Sequence, residues 1–385
     1  GDGDPREAGC ESCPKAAKQA LAWSPLHRHP EWWRGKGLPP DVELMMTEGV
    51  VIDPVSVMDA LDTGTEVAQY AFKDVEHMSK GASECDRAIL AGHLEFVPAS
   101  EVRGDGTVDG CVHPWTVVHQ SADKWRACQD YKLGTNRRVI SKPFTLPSVK
   151  DVLPVITPDS HFAKYDLRDG FWSVGVAPAS RKYLMVRHPA TGRLLRCTSL
   201  PFGYSRSPEH FCRVTESVAQ LARKRCADRG VQVHLFVFVD DFLLVGSDAD
   251  QTRLGMHILE DLLRELGLPF APHKTRGPAR VIEFLGFLIS NSPAHRCLAL
   301  TEGRQAKLLR MVSEWQAREP CGARQLRVKP AELASLLGHL VFASEVVPQG
   351  RLYMMAMLRQ FKGLHVDWAR GLVRSVGSTW SQITV

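Results

Sequence analysis

The 385-residue chain has no run of about eighteen consecutive apolar residues, which argues against a membrane-spanning helix. It opens GDGDPREAGC, without a Met, a basic leader or an apolar leader core. No secretion signal is therefore visible, and such a start is expected of a piece of a longer polypeptide. The ten cysteines are scattered through a long chain, unlike a small disulfide scaffold, so a reducing compartment is expected. Internal repeats and low-complexity tracts are also missing. What remains is ordinary globular composition, 44% hydrophobic and 24% charged, with room for two or three domains. A net charge of +5 permits a polyanionic partner without demanding one.

Residues up to about Gly64 are rich in Pro, Gly, Trp and charge with little periodicity, and read as an extension of uncertain order. CESC (Cys10, Cys13) followed by HRH (His27, His29) invites a zinc reading. The single-residue spacing of the histidines favours a plain loop instead. From His113 the texture changes. HPWTVVHQSADKWRACQDYKL predicts two strands around a Gln120–Asp123 turn. HFAKYDLRDGFWSVGV predicts a strand, a polar break and more apolar chain. A helix follows, with Ser207 as N-cap, Pro208 at the first helical position and Phe211, Val214, Val218 and Leu221 on one face, ending near Gly230. A second helix shows Leu254, Ile258, Leu259, Leu262, Leu263 and Leu266, with Gly267 as its C-terminal cap. IEFLGFLIS (282–290) reads as one further strand run. Beyond it the chain is mostly helical: Leu308, Val312 and Trp315 share a face, and another helix starts at Pro330. Strand, helix, hairpin, helix, strand fits an α+β fold with an antiparallel sheet and helices on one of its faces.

Chemistry concentrates in FVFVDDFLLVG (236–246), where Asp240 and Asp241 interrupt an apolar run. Ionised carboxylates there are costly unless compensated. Taken alone, the pair reads as a turn, since Asp suits turn backbones. Asp166, however, ends another strand run, with Asp169 three residues on, and a βαββ sheet can place that strand beside the hairpin. Three converging carboxylates repel one another unless cations sit between them. Hard divalent ions with oxygen ligands are the natural occupants, and a pair of them is what in-line phosphoryl transfer uses.

KYDLRDGFW, LPFGYSRSPEHF, VFVDDFLLVG, LGLPFAPHKT and EFLGFLIS, in that order, resemble the successive palm motifs of reverse transcriptases. PWTVVHQSADKWRACQDYKLGTN is similar to the fingers hairpin of retrotransposon enzymes. LLGHLVFASEVVPQGRL is similar to the region after the palm in retroelements that encode a tyrosine recombinase. The resemblance covers roughly Pro114 to Phe361. It implies a right-hand polymerase fold: 1–90 an N-terminal extension, 91–160 fingers, 161–292 palm with a fingers insertion around 173–198, and 293–385 a mostly helical thumb or connection. It implies RNA-directed DNA synthesis on an RNA or DNA template-primer from dNTPs, with two Mg²⁺ ions, or Mn²⁺ in their place. Asp166 and Asp240 would bind both metals, Asp241 would assist, and the Leu167 carbonyl would complete one shell. Asp169 and Gly170 would offer backbone N–H groups to the triphosphate, Arg126 would contact it, and Phe171 would stack under the sugar and exclude a 2′-hydroxyl. Phe202 and Gly203 would shape the pocket, Lys274 would protonate the leaving pyrophosphate, and Phe284, Leu285 and Gly286 would hold the primer end. The basic helix after Thr301 would track the duplex backbone. No acidic set for an RNase H domain, and no recombinase or integrase, is found in the sequence. Cytoplasmic or nuclear residence follows from what such elements need.

Each role has a plainer alternative: Phe171, Phe202, Phe284 and Leu285 as core residues, Arg126 and Lys274 as solvated charges. Two positions depart from the family pattern. His119 stands where many relatives carry a fingers lysine, and a mostly neutral histidine would contact phosphate less strongly. Phe238 stands where Tyr is commonest. An RNA-dependent RNA polymerase is disfavoured because Phe171 would clash with a ribose and Asp169 follows Asp166 too closely. A relic that binds nucleic acid without catalysis is disfavoured because all three carboxylates persist.

Overall fold

The computed structural model describes residues 24–53, 64–121, 124–141, 143–168, 170–318, 327–347, 349–368, 370–374 and 383–384. They divide into two compact units. The first is formed by described residues up to 147 together with 163–246 and 250–276, the second by 148–162, 247–249 and those from 277 onward.

In the first unit, β1 (Trp115–Ser121) and β2 (Lys124–Gln129) form the expected antiparallel hairpin, from Trp115 opposite Gln129 to Ser121 opposite Lys124. Residues 122–123 of its turn lie outside the described residues. Strand β3 (His161–Asp166) turns Tyr165 inward and leaves Lys164 and Asp166 half-exposed on its other face, the period-two alternation of a pleated strand. Helix α1 (Ser207–Asp228) leads to β4 (Val233–Phe238), β5 (Asp241–Gly246) and helix α2 (Ala249–Glu265). Strand β5 lies between β3 and β4. That central place explains why Phe242 to Val245 are all buried instead of alternating.

The helix faces read from the periodicity are the ones buried. Phe211, Val214, Val218 and Leu221 of α1 and Ile258, Leu259, Leu262 and Leu263 of α2 are interior. Most of them join Leu235, Val237, Phe242 and Leu244 in one core. Two expectations fail. Arg206, not Ser207, is the N-cap; the Ser207 hydroxyl instead donates to the Pro201 carbonyl, because Ser207 is already inside the first turn. Leu254 is 47% exposed, since the apolar stripe of α2 is narrower at its start.

Residues 24–53, whose composition suggested uncertain order, supply core. Leu26, Trp33, Val42, Met46, Val50 and Ile52 are at most 2% exposed. A helix over Pro40–Glu48, with Pro in its first turn, carries Val42 and Met46 inward together with Met45 and Thr47. A five-stranded sheet completes this unit, in the order Thr65–Glu66, Cys111–His113, Met185–Arg187, Leu194–Cys197, Leu94–Phe96.

The second unit contains β6 (Val281–Phe284), β7 (Phe287–Ser292) and β8 (His295–Leu300) as an antiparallel meander. Helices α3 (Glu302–Gln316), α4 (Pro330–Ala343) and α5 (Gly350–Arg359) follow. Helix α4 starts at the expected Pro330. Leu308, Val312 and Trp315 of α3 are half-buried, while Arg304, Lys307 and Arg310 are exposed. The IEFLGFLIS run is two strands rather than one. Phe284 pairs with Phe287 across a two-residue turn in which Leu285 and Gly286 both have positive φ, 52° and 82°. That is the backbone hairpin turns require, and Gly286 was its signal in the sequence. Among the described residues no helix is long and apolar enough to cross a membrane.

Truncating the fully buried Leu263 to Ala is expected to cost about 2–5 kcal/mol. Leu254→Ala on the exposed face is expected to stay within about 0.5 kcal/mol. Urea denaturation with comparable slopes checks the pair, and equal costs would contradict the assigned faces.

Candidate active site

The site begins at the β4–β5 connection. Asp241 pairs with Phe238, which leaves Val239 and Asp240 as a two-residue turn. Val239 adopts φ 58°, a region that costs a β-branched residue roughly 1–3 kcal/mol and that persists only where the surroundings impose it. The sheet imposes it here. The Leu167 N–H donates to the Asp240 carbonyl at 2.9 Å, tying the turn to the end of β3, and the Ala271 N–H donates to the Asp166 carbonyl at 2.9 Å. Strand pairing thus brings Asp166 to the Asp240–Asp241 turn.

Electrostatics follow from that gathering. Asp240 and Asp241 are half-buried, and Asp166 keeps 27% of its side chain exposed. Burial first, with the charges of Asp240 and Asp166 acting the same way, holds the Asp241 carboxyl up at about 6. Asp240 is raised too, by burial first, and Asp166 adds to the shift. Lys274 answers part of this charge: its Nζ donates to Asp166 Oδ1 at 2.8 Å, and that bond raises the ammonium above the usual lysine range. Lys164 also favours the ionised form of Asp241. Sequence reasoning passed over Lys164, although alternation along β3 puts it on the Asp166 face.

These residues suit a divalent cation by donor chemistry. They offer hard carboxylate oxygens whose mutual repulsion a cation relieves, and a lysine ammonium already stands against Asp166. Among the described residues, no three His, Cys, Asp or Glu side chains close into a metal cage. An open set completed by water and phosphate oxygens is the Mg²⁺ pattern.

Beside the carboxylates, Phe171 heads a short 3₁₀ turn over Phe171–Ser173. Its ring packs against Phe202 at 5.1 Å and edge-on to Phe211 at 5.4 Å between centroids. Phe211 is thus a second residue that the sequence reading left as plain core. A Cβ on Gly170 would meet the Phe211 ring at 2.8 Å, so Gly170 is what lets this loop lie on α1. Gly203 is similarly constrained: a Cβ there would sit 2.0 Å from the Gln129 carbonyl. The Asn136 side chain braces that turn, donating to the Gly203 carbonyl at 2.8 Å and accepting from the Ser205 N–H at 2.9 Å.

Other expected site residues fall as follows. Arg126 stands in β2 with its backbone opposite Val118, and His119 lies in β1 opposite Trp125. Asp169 lies outside the described residues, as do Cys10 and Cys13. Phe284, Leu285 and Gly286 form the β6–β7 turn of the second unit, where Phe284 is buried and a Cβ on Gly286 would strike the Arg304 guanidinium. His27 is fully buried and accepts from the Gly175 N–H, and His29 pairs with Glu31, so neither histidine serves the zinc reading.

Residues 121–289 match the family model described as "Reverse transcriptase (RNA-dependent DNA polymerase)". The chain is similar to Polyprotein P3 of Commelina yellow mottle virus, 26% identical over 163 residues, which is 42% of this chain and 8% of that protein. It is similar to the Gag-Pro-Pol polyprotein of bovine leukemia virus, 25% identical over 237 residues, 60% of this chain and 16% of that protein. The chain therefore spans a small part of these polyproteins. Among solved structures, the foamy viral protease-reverse transcriptase in complex with double-stranded DNA aligns with a TM-score of 0.59 at 19% identity. The match covers 81% of this chain and 50% of that one. That likeness shows the fold, a right-hand polymerase fold of mixed helix and sheet. The finer resemblance to tyrosine-recombinase retroelements finds no support in these relatives.

Because Asp241 binds its proton more tightly folded than unfolded, its contribution to stability falls as pH rises from about 4 through about 6, and is regained as pH falls. In EDTA, Asp241→Asn is therefore expected to melt a few degrees above the wild type at pH 7 to 8. The gap is expected to close near pH 4 and to narrow in millimolar Mg²⁺. A gap unaffected by both pH and Mg²⁺ in scanning calorimetry would contradict the assignment.

Proposed function

Residues 121–289 belong to the reverse transcriptase family, and on that premise we propose that the chain is an RNA-directed DNA polymerase that extends a primer 3′-hydroxyl with dNTPs. The observation that carries this reading is the convergence of Asp166 with the Asp240–Asp241 turn, with the Lys274 ammonium held on it. Relatives with Pol in their names support it, as does a structural neighbour whose title states a complex with double-stranded DNA. Another neighbour, at a TM-score of 0.54, is titled as a complex with an RNA/DNA hybrid. A template-primer of RNA or DNA is accordingly the proposed partner.

Members of this family use divalent metal ions. Asp166 and Asp240 would hold two Mg²⁺ ions, with Asp241 and the Leu167 carbonyl completing the set; Mn²⁺ suits the same oxygens. When bound, such ions favour ionisation of the attacking hydroxyl and offset charge on the departing pyrophosphate. The protein's own contribution is positioning and electrostatics. The pairing of β3 and β5 keeps the carboxylates in register, so little rearrangement accompanies reaction. The Gly170 N–H, with that of Asp169, would face the triphosphate, and Arg126 would neutralise it. Phe171, backed by Phe202 and Phe211, would present a rigid ring beneath the sugar, leaving no room for a 2′-hydroxyl. Gly203 keeps the neighbouring backbone low.

Lys274 has two positions to serve. It rests on Asp166, where its raised affinity keeps it charged. Its ammonium would also reach the leaving pyrophosphate and donate its proton there. Phe284, Leu285 and Gly286 would hold the primer end, and the exposed Arg304, Lys307 and Arg310 on α3 would follow the duplex phosphates. With His119 where relatives carry a lysine, Arg126 would take more of the triphosphate contact.

With Mg²⁺, a DNA primer on an RNA template is expected to be extended by the purified chain, and Asp240→Asn to lose at least about a thousandfold in rate. Undiminished template-directed synthesis by Asp240→Asn would remove the carboxylate assignment. Phe171→Ala is expected to admit ribonucleotides, and unchanged sugar discrimination in single-nucleotide insertion would take Phe171 out of the gate.

A further inference from the structure

The Phe171 turn is held from a direction that the polymerase motifs do not account for. Its own bonds are short-range: the Ser173 N–H and hydroxyl both go to the Gly170 carbonyl, at 3.1 and 2.6 Å, and the Val174 N–H goes to the Phe171 carbonyl. The next groups need partners from elsewhere, because Ser173, Val174 and Val176 are buried. Val174 and Val176 bond to Leu200 and Thr198. The Ser173 carbonyl accepts from the Ser24 hydroxyl at 2.5 Å. The Gly175 N–H donates to Nε2 of His27 at 2.9 Å, and the Gly175 carbonyl accepts from the Val50 N–H at 2.8 Å. The Val50 carbonyl then takes the Ala177 N–H at 3.0 Å. Four consecutive attachments thus come from residues 24–50, over 100 positions upstream of the turn.

That upstream segment is itself anchored to the sheet's helices. The Trp33 indole donates to the Leu26 carbonyl, fixing the His27 loop on its own helix. Trp32 donates to Glu265 at the end of α2, and Asp41 pairs with Arg213 of α1. A Cβ on Gly49 would lie 2.7 Å from the Ala177 nitrogen, so the backbones meet at the closest approach a glycine permits. His27 and Ser24 are 0% exposed, and Trp33 is 2% exposed.

We propose that His27 is a positioning residue for the nucleotide pocket, and that residues 24–50 are a built-in strap that sets the Phe171 turn and thereby the sugar selectivity of the enzyme. This rests on the reading of Phe171 as the sugar gate. The chemistry of His27 suits the task. An imidazole accepting at Nε2 must be neutral and carry its proton on Nδ1. Burial lowers its affinity for a second proton to about 4, and the Arg181 charge acts the same way. The acceptor therefore persists at every pH at which a polymerase works. The Met46 carbonyl lies close enough to favour the ring's proton, without a well-formed bond to Nδ1. A fully buried ring delivers one acceptor to one amide. Displacing the Gly175 amide would move a turn whose first residue, Phe171, is packed between Phe202 and Phe211. Shifts of the order of 1 Å in positioning groups cost up to about a hundredfold in rate.

The test is single-nucleotide insertion by the full chain on an RNA template, comparing a dNTP with its rNTP, for His27→Leu, His27→Gln, Ser24→Ala and Phe171→Ala. His27→Leu strips the acceptor and is expected to lower the dNTP-over-rNTP preference about tenfold, through KM for the dNTP more than through kcat. His27→Gln, whose amide oxygen can take the same N–H, is expected to return within about twofold of wild type. Affinity for template-primer, read by fluorescence anisotropy, is expected to be unchanged in both. Should His27→Leu fail to fold, Ser24→Ala is expected to shift the preference in the same direction by a smaller factor. Wild-type preference in a folded His27→Leu, or failing that in Ser24→Ala, overturns the proposal when Phe171→Ala does relax selection. If Phe171→Ala leaves selection intact, the gate reading itself has failed and the strap's role in selectivity falls with it.

Discussion

Everything at this site depends on holding three carboxylates together against their own repulsion and loss of water. Asp166 comes from the end of one strand, Asp240 and Asp241 from a tight turn between two others, and strand pairing together with a backbone bond from Leu167 to Asp240 joins them. Burial and neighbouring charge both oppose ionisation of Asp241. The sheet supplies the compensation: its central strand is buried through four successive residues, and two amphipathic helices close over one side. Even the turn is strained, since Val239 takes a positive φ that no isolated valine would keep. The core stabilises an arrangement that is unfavourable by itself, as perturbed carboxylate clusters require.

Around that cluster, small residues control distance and large ones control rigidity. Gly170 lies where any side chain would collide with Phe211, and Gly203 lies where any side chain would collide with the Gln129 carbonyl. Phe171 is held between Phe202 and Phe211, so its position is inherited from α1 and from the turn after Leu200. The N-terminal segment adds a third source of constraint, with His27 and Ser24 bonding directly to the backbone that follows Phe171. Under the proposed function, a pocket built this way would discriminate by geometry fixed in advance.

Much of this was legible in the residues. The helix faces of α1 and α2 followed from spacing, because burial on one side of a helix leaves a 3.6-residue imprint. The adjacent aspartates suggested a turn, and Asp166 together with the ordered motifs gave the turn its chemistry. What stayed hidden was non-local. No periodicity in HRHPEWW announces that His27 will meet Gly175, because that bond spans 148 positions. The IEFLGFLIS run read as one strand because its apolar residues continue through the turn, with Gly286 the only break. Ser207 looked like a helix cap, but its hydroxyl found the Pro201 carbonyl instead. Leu254 carries the right residue type at the start of α2, yet stays largely exposed while the rest of the stripe is buried.

The central proposal is that gathered carboxylates would make this chain a two-cation phosphoryl-transfer site. Counting bound Mn²⁺ by electron paramagnetic resonance, in a complex with a dideoxy-terminated primer on an RNA template and the next dNTP, tests it most directly. The account expects two ions per wild-type chain and a clear loss in Asp166→Asn. A wild-type complex that binds no Mn²⁺ beyond that carried by the nucleotide alone, or an Asp166→Asn complex indistinguishable from it, would contradict the account.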